Sequence, residues 1–366
     1  MSREGRKVLV VGALGVVGRA AMERFAAQSG VEAVGLSRRP PDFAPDATWI
    51  AVDLQDAEAT RVALAAHRDV THVVYAALNE QPDLLVGWRD EHNVQLNTNM
   101  LCNTLDALDG VPLQHVTLMQ GTKAYGVHTG RPMRVPAREQ DALRDHANFY
   151  FEQQDLLAAH AARTGCGWTI FRPQIVLGVA VGSAMNPVAA LGIYALLVRE
   201  QGRPLAYPGH AHLLTECTDA RLIAKAIEWA WQEPRANREV FNIANGDVIV
   251  WSSLFLRLAT FFGMALQAGS DNPTGGRVSE QMTPMTATWR RIAQREKLRV
   301  DDLDALIGLS WQYADATWAA RRPLPVPPLV STIKIRSFGF NDCIDSEQCV
   351  IDHLESMRTQ GYLPPH

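Results

Sequence analysis

Lys7-Val8-Leu9-Val10-Val11-Gly12-Ala13-Leu14-Gly15-Val16-Val17-Gly18 is the stretch whose reading decides the fold. A run of β-branched and aliphatic residues ends at Gly12, Gly15 and Gly18 follow at intervals of three, and the helix-compatible run Arg19 to Gln28 comes next. This is strand, tight turn, helix. Gly12 allows the sharp turn, Gly15 lets backbone approach a pyrophosphate with no Cβ in the way, and Gly18 lets the helix pack close to the strand. The helix N-terminus offers unpaired N–H groups and the positive end of its dipole to phosphates. The spacing is GxxGxxG, not the GxGxxG of the simplest dinucleotide fingerprint.

With a strand before it, a helix after it and an N-terminal position, the glycine run resembles the short-chain dehydrogenase/reductase superfamily in its extended form. Ala33 to Leu36 reads as the second strand and ends in Ser37-Arg38-Arg39. An acid at this point holds the ribose 2′-OH of NAD. Two arginines instead suit the 2′-phosphate of NADPH through charge-assisted bidentate bonds, the other reading being a solvated turn before Pro40-Pro41. Trp49 to Val52 is a third strand ending in Asp53-Leu54, where Asp53 contacts the adenine or caps the helix that starts near Glu58. His72 to Tyr75 is the fourth strand, with Ala76-Ala77-Leu78 lining the cofactor channel. Asn93 to Leu108 reads as a long helix whose amides resemble the polar helix behind the superfamily's active site, or serve structure alone.

Gln114 to Met119 is the fifth strand, residues 127–147 a loop, Asn148 to about Thr164 a helix, and Trp168 to Phe171 the sixth strand, ending in Arg172-Pro173. Strands alternating with helices predict an α/β fold with a doubly wound parallel sheet of Rossmann type. The alternation is lost after Gly178. Residues 1–178 are therefore read as an NADP-binding domain and 179–366 as a smaller, mostly helical substrate-binding region, with segments of about 205–250 returning to the first domain. Helical patterns fall at Pro187 to Gln201, Arg221 to Gln232 and Trp251 to Phe262. The Pro-rich stretch from Arg321, with Phe338-Gly339-Phe340 beyond it, reads as a mobile lid.

Composition narrows the function. The 366 residues are 47% hydrophobic and 20% charged, enough for a sizeable core, with a net charge of −4 and no basic block, which argues against a nucleic-acid partner. The five cysteines form no CxxC pair and no zinc spacing, so no metal is expected and the thiols read as reduced ones in a cytoplasmic protein. No apolar run is long enough for a membrane span.

The chemistry departs from the superfamily's usual pattern. A Tyr with Lys four residues on, plus a Ser or Thr at the end of the fifth strand, is the usual set. Here Tyr150 opens the right helix, but position 154 is Gln and the Ser/Thr position is Gly121. Lys123 offers a substitute at the carboxyl end of the fifth strand, where a doubly wound sheet binds its ligands, unless it is a solvated loop residue. Gly121-Thr122-Lys123-Ala124-Tyr125, Asn148-Phe149-Tyr150-Phe151 with Asp155, Arg172-Pro173, Phe241-Asn242-Ile243-Ala244-Asn245-Gly246-Asp247, and Trp251 form a set. The set resembles the progesterone 5β-reductase and iridoid synthase-like family over nearly the whole chain. Gln120, Phe151, Gln154 and Gly126-Val127-His128 depart from that family's pattern, which puts a plant-like steroid or iridoid substrate in question.

The resemblance implies NADPH-dependent reduction of the C=C bond of a small apolar α,β-unsaturated carbonyl, with Tyr150 and Lys123 as the catalytic pair and the Lys123 amine acting on the Tyr150 hydroxyl. It implies NADPH/NADP+ held by Gly12, Leu14, Gly15, Val16, Val17, Ser37, Arg38, Arg39, Asp53, Leu54, Ala76, Ala77, Gln120, Lys123, Tyr150, Pro173, Ile175 and Val176. A homodimer is left open. Two other readings stand beside it: a carbonyl reductase or epimerase of the same fold, disfavoured by the missing YxxxK and Ser/Thr, and a non-catalytic NADPH-sensing regulator.

Overall fold

A computed structural model describes residues 5–43, 46–267, 276–322 and 326–365. The chain divides into two compact units: residues 1–174, 220–243 and 330–342, and residues 175–219, 244–329 and 343–366.

The first unit is built on strands β1 (Arg6–Val11), β2 (Val31–Ser37), β3 (Thr48–Ala51), β4 (His72–Tyr75), β5 (His115–Met119), β6 (Gly167–Pro173) and β7 (Glu239–Ile243). They form one seven-stranded sheet in the order β7-β6-β5-β4-β1-β2-β3, and every pairing is parallel. Helices α1 (Val16–Ala26), α2 (Ala57–Leu64), α3 (Glu91–Ala107), α4 (Phe149–Thr164) and α5 (Ala220–Gln232) belong to this unit. A parallel sheet covered on both faces has apolar strands throughout. Val8, Leu9, Val10 and Val11 are all fully buried, each contributing about 1.5–3 kcal/mol.

The strand–turn–helix reading holds. Gly12 has a φ of 83°, and a Cβ on it would meet the backbone of Ala76 and Ala77 at 2.7 Å, so the turn seats directly on the end of β4. A Cβ on Gly18 would lie 2.1 Å from Gly12 O, which fixes glycine there for close helix–strand packing. Helix α5 lies on α1, where Phe25 stacks on Trp231 at 4.8 Å between centroids and Arg24 pairs with Glu228 at 2.5 Å. Helix α2 is capped by Asp56, which accepts from Ala59 N at 2.9 Å; Asp53 instead accepts from Gln55 N at 3.1 Å.

The lid expectation needs correction from Val330 onward. Residues 323–325 lie outside the described residues, but 330–342 belong to the first unit. Ser331 N donates to Ala137 O at 2.7 Å, Lys334 Nζ pairs with Glu239 at 2.7 Å, and Phe338 packs on Phe241 at 5.2 Å. Phe340 lies 5.5 Å from Trp229. The aromatic residues that suggested a lid over substrate are committed to β7 and α5.

The second unit has its own apolar core around the helix Pro187–Glu200, buried from Pro187 to Val198, with the helices Trp251–Phe262 and Ser346–Thr359 against it. Its strands are short pairs, among them Ile175–Leu177 parallel to Cys217–Asp219. Among the described residues no helix is long and apolar enough to cross a membrane.

Candidate active site

Tyr150 is the second residue of α4. Asn148 caps that helix, accepting from Tyr150 N at 3.1 Å, while its Nδ2 donates to Lys123 O at 3.1 Å. One side chain thus ties the start of the tyrosine helix to the turn after β5, which is why the two expected catalytic residues come from different elements yet share one end of the sheet. Both Tyr150 and its neighbour Phe149 are buried.

The Tyr150 hydroxyl lies against Gly121, at 3.2 Å from a Cβ built there. The superfamily's Ser/Thr position is therefore bare backbone beneath the phenol. Its lysine position is also reassigned. Gln154 accepts from Arg172 Nη2 and Gln120 Nε2, each at 3.5 Å. Arg172, 2% exposed, donates Nε to Gln120 Oε1 at 2.8 Å and Nη1 to Glu139 O at 3.0 Å. Gln120 Nε2 donates to Tyr150 O at 2.8 Å. A buried guanidinium thus occupies the polar layer under the tyrosine. Gln120, expected among the cofactor residues, has its amide engaged inside this layer. Tyr125 closes it, donating its hydroxyl to Asn242 Oδ1.

Burial pushes the Tyr150 phenol well above the usual tyrosine range; the Glu80 carboxylate adds to the rise and Arg172 opposes it. The hydroxyl is therefore a neutral donor at working pH. Lys123 makes no hydrogen bond to it: the buried Lys123 Nζ has no hydrogen-bond partner among the described residues. Instead Nζ lies 3.6 Å from the centroid of the Trp88 ring and 3.8 Å from Glu80 Oε1. Burial pushes the amine down to about 8, against the pull of Glu80. Removing an ammonium from water disfavours its charged form, and a carboxylate nearby restores part of it.

Glu80 and Trp88 escaped the sequence reading. They sit in the segment between β4 and α3, Trp88 closing the one-turn helix Leu84–Gly87, on no motif spacing. The available signal was chemical: a lysine buried at a ligand-binding sheet end needs an acid or an aromatic face close by.

The dinucleotide turn fits a bound cofactor. A Cβ on Gly15 would meet only Gly12 O, at 3.4 Å, so the protein's own packing does not demand glycine there, whereas a phosphate approaching the backbone would. Gly15 is also the N-cap of α1 and makes no side-chain cap, so the first-turn N–H groups are not covered by a capping side chain. Leu14 and Val16 are buried beside it and Val17 is half-buried. Ser37 ends β2, its hydroxyl donating to Arg39 O at 2.5 Å, and Arg38 and Arg39 are exposed. Asp53 is exposed and Leu54 buried at the end of β3. Pro173 O lies 3.6 Å from the Gly121 Cβ position. Ile175 and Val176 belong to the second unit; all the other expected site residues fall in the first.

Comparison with known proteins agrees with the fold. The chain is 29% identical over 376 residues to the 3-oxo-Δ(4,5)-steroid 5β-reductase of Arabidopsis thaliana, covering 97% of this chain and 92% of that one. It is 30% identical over 328 residues to an (S)-8-oxocitronellyl enol synthase of Nepeta cataria, covering 84% and 81%. Among solved structures, the UDP-glucose 4-epimerase of Thermus thermophilus in complex with NAD superposes with a TM-score of 0.64 at 17% identity, over 95% of this chain and 99% of that one. An epimerase of Methanothermobacter thermautotrophicus reaches 0.69 at 14% identity, over 98% and 94%. The model of the PRISE-like Rossmann-fold domain matches residues 52–304, and the chain belongs to that family.

Proposed function

We propose that this chain is an NADPH-dependent oxidoreductase that reduces the C=C bond of a small, apolar α,β-unsaturated carbonyl. The observation that carries the proposal is the setting of Tyr150. Its buried hydroxyl stands over bare Gly121 and holds no lysine amine, while the position one turn along α4 is a glutamine bound to Arg172. A lone neutral donor suits an oxygen that gains charge, as in an enolate, better than it suits a proton relay to an alkoxide. The names of the relatives, a steroid 5β-reductase and an enol synthase, fit the same class of substrate.

When bound, the dihydronicotinamide supplies the hydride that the β-carbon accepts. Tyr150 donates a hydrogen bond to the carbonyl oxygen, where enolate charge gathers, and the α-carbon then takes a proton from solvent to leave the saturated carbonyl. Lys123 brings a positive charge to the same end of the sheet, and its Nζ, without a hydrogen-bond partner among the described residues, is a donor for a ribose hydroxyl. Gly12, Gly15 and the first turn of α1 would hold the pyrophosphate, Ala76 and Ala77 would line the cofactor channel, Asp53 would take the adenine, and Arg38 and Arg39 would take the 2′-phosphate. The five cysteines, with no CxxC spacing among them, suit a reducing, cytoplasmic setting.

The test is NADPH oxidation with a simple cyclic enone, followed by product analysis. A saturated ketone is expected. An allylic alcohol would assign the chain to carbonyl reduction, and cofactor binding without turnover on any carbonyl would assign it to sensing.

A further inference from the structure

Glu80 and Trp88 stand beside Lys123 with no part in the chemistry above. Trp88 Nε1 donates to both oxygens of the Glu80 carboxylate, at 3.2 and 3.0 Å, while its ring face receives the Lys123 ammonium. The backbone that carries them is fixed from α3. Asn97 Oδ1 accepts from Asn79 N at 2.8 Å and its Nδ2 donates to Asn79 O at 3.0 Å, next to Glu80. Asn93 Nδ2 donates to Gly87 O at 3.1 Å, next to Trp88, and Asn79 Nδ2 donates to Asn93 Oδ1 at 3.1 Å. Buried amides thus set the carboxylate and the indole independently of the lysine. The gap of 3.8 Å from Nζ to Oε1 exceeds hydrogen-bond reach. At that distance a carboxylate attracts the ammonium without using any of its N–H donors.

We propose that Glu80 is a positioning residue for Lys123: its carboxylate, fixed by the Trp88 indole, keeps the buried ammonium charged and in place while leaving its donors for cofactor or substrate. This rests on the role given to Lys123 under the proposed function. The physical need is plain. A lysine buried against an aromatic face alone tends to lose its proton, and Glu80 is the group that opposes this. Burial pushes the Glu80 carboxyl up in turn, and Lys123 and Trp88 hold it down, so each member of the trio keeps another in its working state. Among the described residues, His128 feels the charge of Lys123 and Tyr150 that of Glu80; Arg89 and His146 act on His128, and Arg172 on Tyr150. Burial pushes His128 down to about 4, helped by His146, Lys123 and Arg89, which keeps it neutral near pH 7.

The test uses the full chain without cofactor, labelled with ¹³Cε-lysine. The sequence has five lysines, and Lys123→Arg identifies the resonance of Lys123. In Glu80→Gln the Lys123 titration midpoint should fall by about one pH unit or more, and in Glu80→Asp by less, with the other four lysines unmoved. A midpoint unchanged in both variants, each with a native-like spectrum, overturns the proposal. In turnover, the alkaline limb of kcat/KM for Glu80→Gln should move down with the midpoint and the rate should recover towards wild type at pH 6. A uniform loss at every pH would mark mere structural damage and also overturn it. Absence of turnover on any enone would count against the proposed function, and the lysine titration would still decide the role of Glu80.

Discussion

The Tyr150 hydroxyl rests on Gly121, 3.2 Å from where that residue would carry a Cβ. Gly121 has an extended backbone, with φ of −177°, so conformation alone does not require glycine there. The constraint is the phenol. A methyl at 3.2 Å is tighter than ordinary contact, and the buried ring must shift by a few tenths of an ångström. Gly121→Ala should therefore fold normally and bind cofactor normally, yet slow enone reduction about tenfold, because misplacement of a catalytic group costs rate steeply. Single-turnover rates and cofactor titration measure the two separately. A full wild-type rate would detach the Gly121 contact from the chemistry.

Loss of the Tyr150 hydroxyl should matter in proportion to the charge it must hold. Removing one such donor typically costs about 10²–10³ in rate. Tyr150→Phe should show that loss on a singly activated enone and much less on a doubly activated acceptor, which spreads the negative charge itself. Lys123→Met should also weaken cofactor binding, which Tyr150→Phe should not. Because both act on one developing charge, the double variant should fall short of the summed losses. Equal losses on both acceptor types would take the oxyanion role from Tyr150.

Much of this was legible in sequence, and the exceptions share a cause. The Gly12–Gly18 turn, the succession of strands along the chain into β6 and the placement of Tyr150 on a helix start all follow from local spacing. So do the two departures, Gly121 and Gln154, although their tertiary partners do not. Arg172 reaches Gln154 and Gln120 from another strand, and Glu80 and Trp88 reach Lys123 from a segment with no periodicity. Such contacts are set by tertiary placement and leave no spacing to read. The Phe338 and Phe340 strap misled for the converse reason: an aromatic run looks the same whether it waits for substrate or is buried on β7 and α5.

Two buried histidines should make the fold acid-sensitive. Burial pushes His72 down to about 4 and His115 to about 3, with the Arg6 charge adding to the fall of His72 and His72 adding to that of His115. Unfolded histidines titrate near 6.5, so between that pH and the folded values the unfolded chain binds more protons. The stability these groups contribute is thus present above pH 6.5 and lost as pH falls through the window. From pH 7 to pH 5 the loss should be about 2 kcal/mol for each histidine. Urea unfolding across this range measures it. His115→Gln, which keeps a partner for Thr169, should flatten the slope; an unchanged slope would rule His115 out as a source.

Cofactor choice is the sharpest test of the turn after β2. Ser37 closes the strand by bonding Arg39 O, and the next two side chains are exposed guanidinium groups with no acid between them. A ribose 2′-OH gains little from such a site, whereas a 2′-phosphate gains charge-assisted and bidentate bonds. NADPH should exceed NADH by at least about tenfold in kcat/KM, or about 1.4 kcal/mol. Arg38→Ala with Arg39→Ala should remove most of that preference by weakening NADPH while leaving NADH nearly unchanged. The same difference should appear in equilibrium binding of the two cofactors to the resting protein. It should shrink as salt is raised, since these exposed charges are screened over about 10 Å at 0.1 M ionic strength. Equal binding of both cofactors by the wild-type chain would place the 2′-phosphate elsewhere, and a preference that survives the double substitution would do the same.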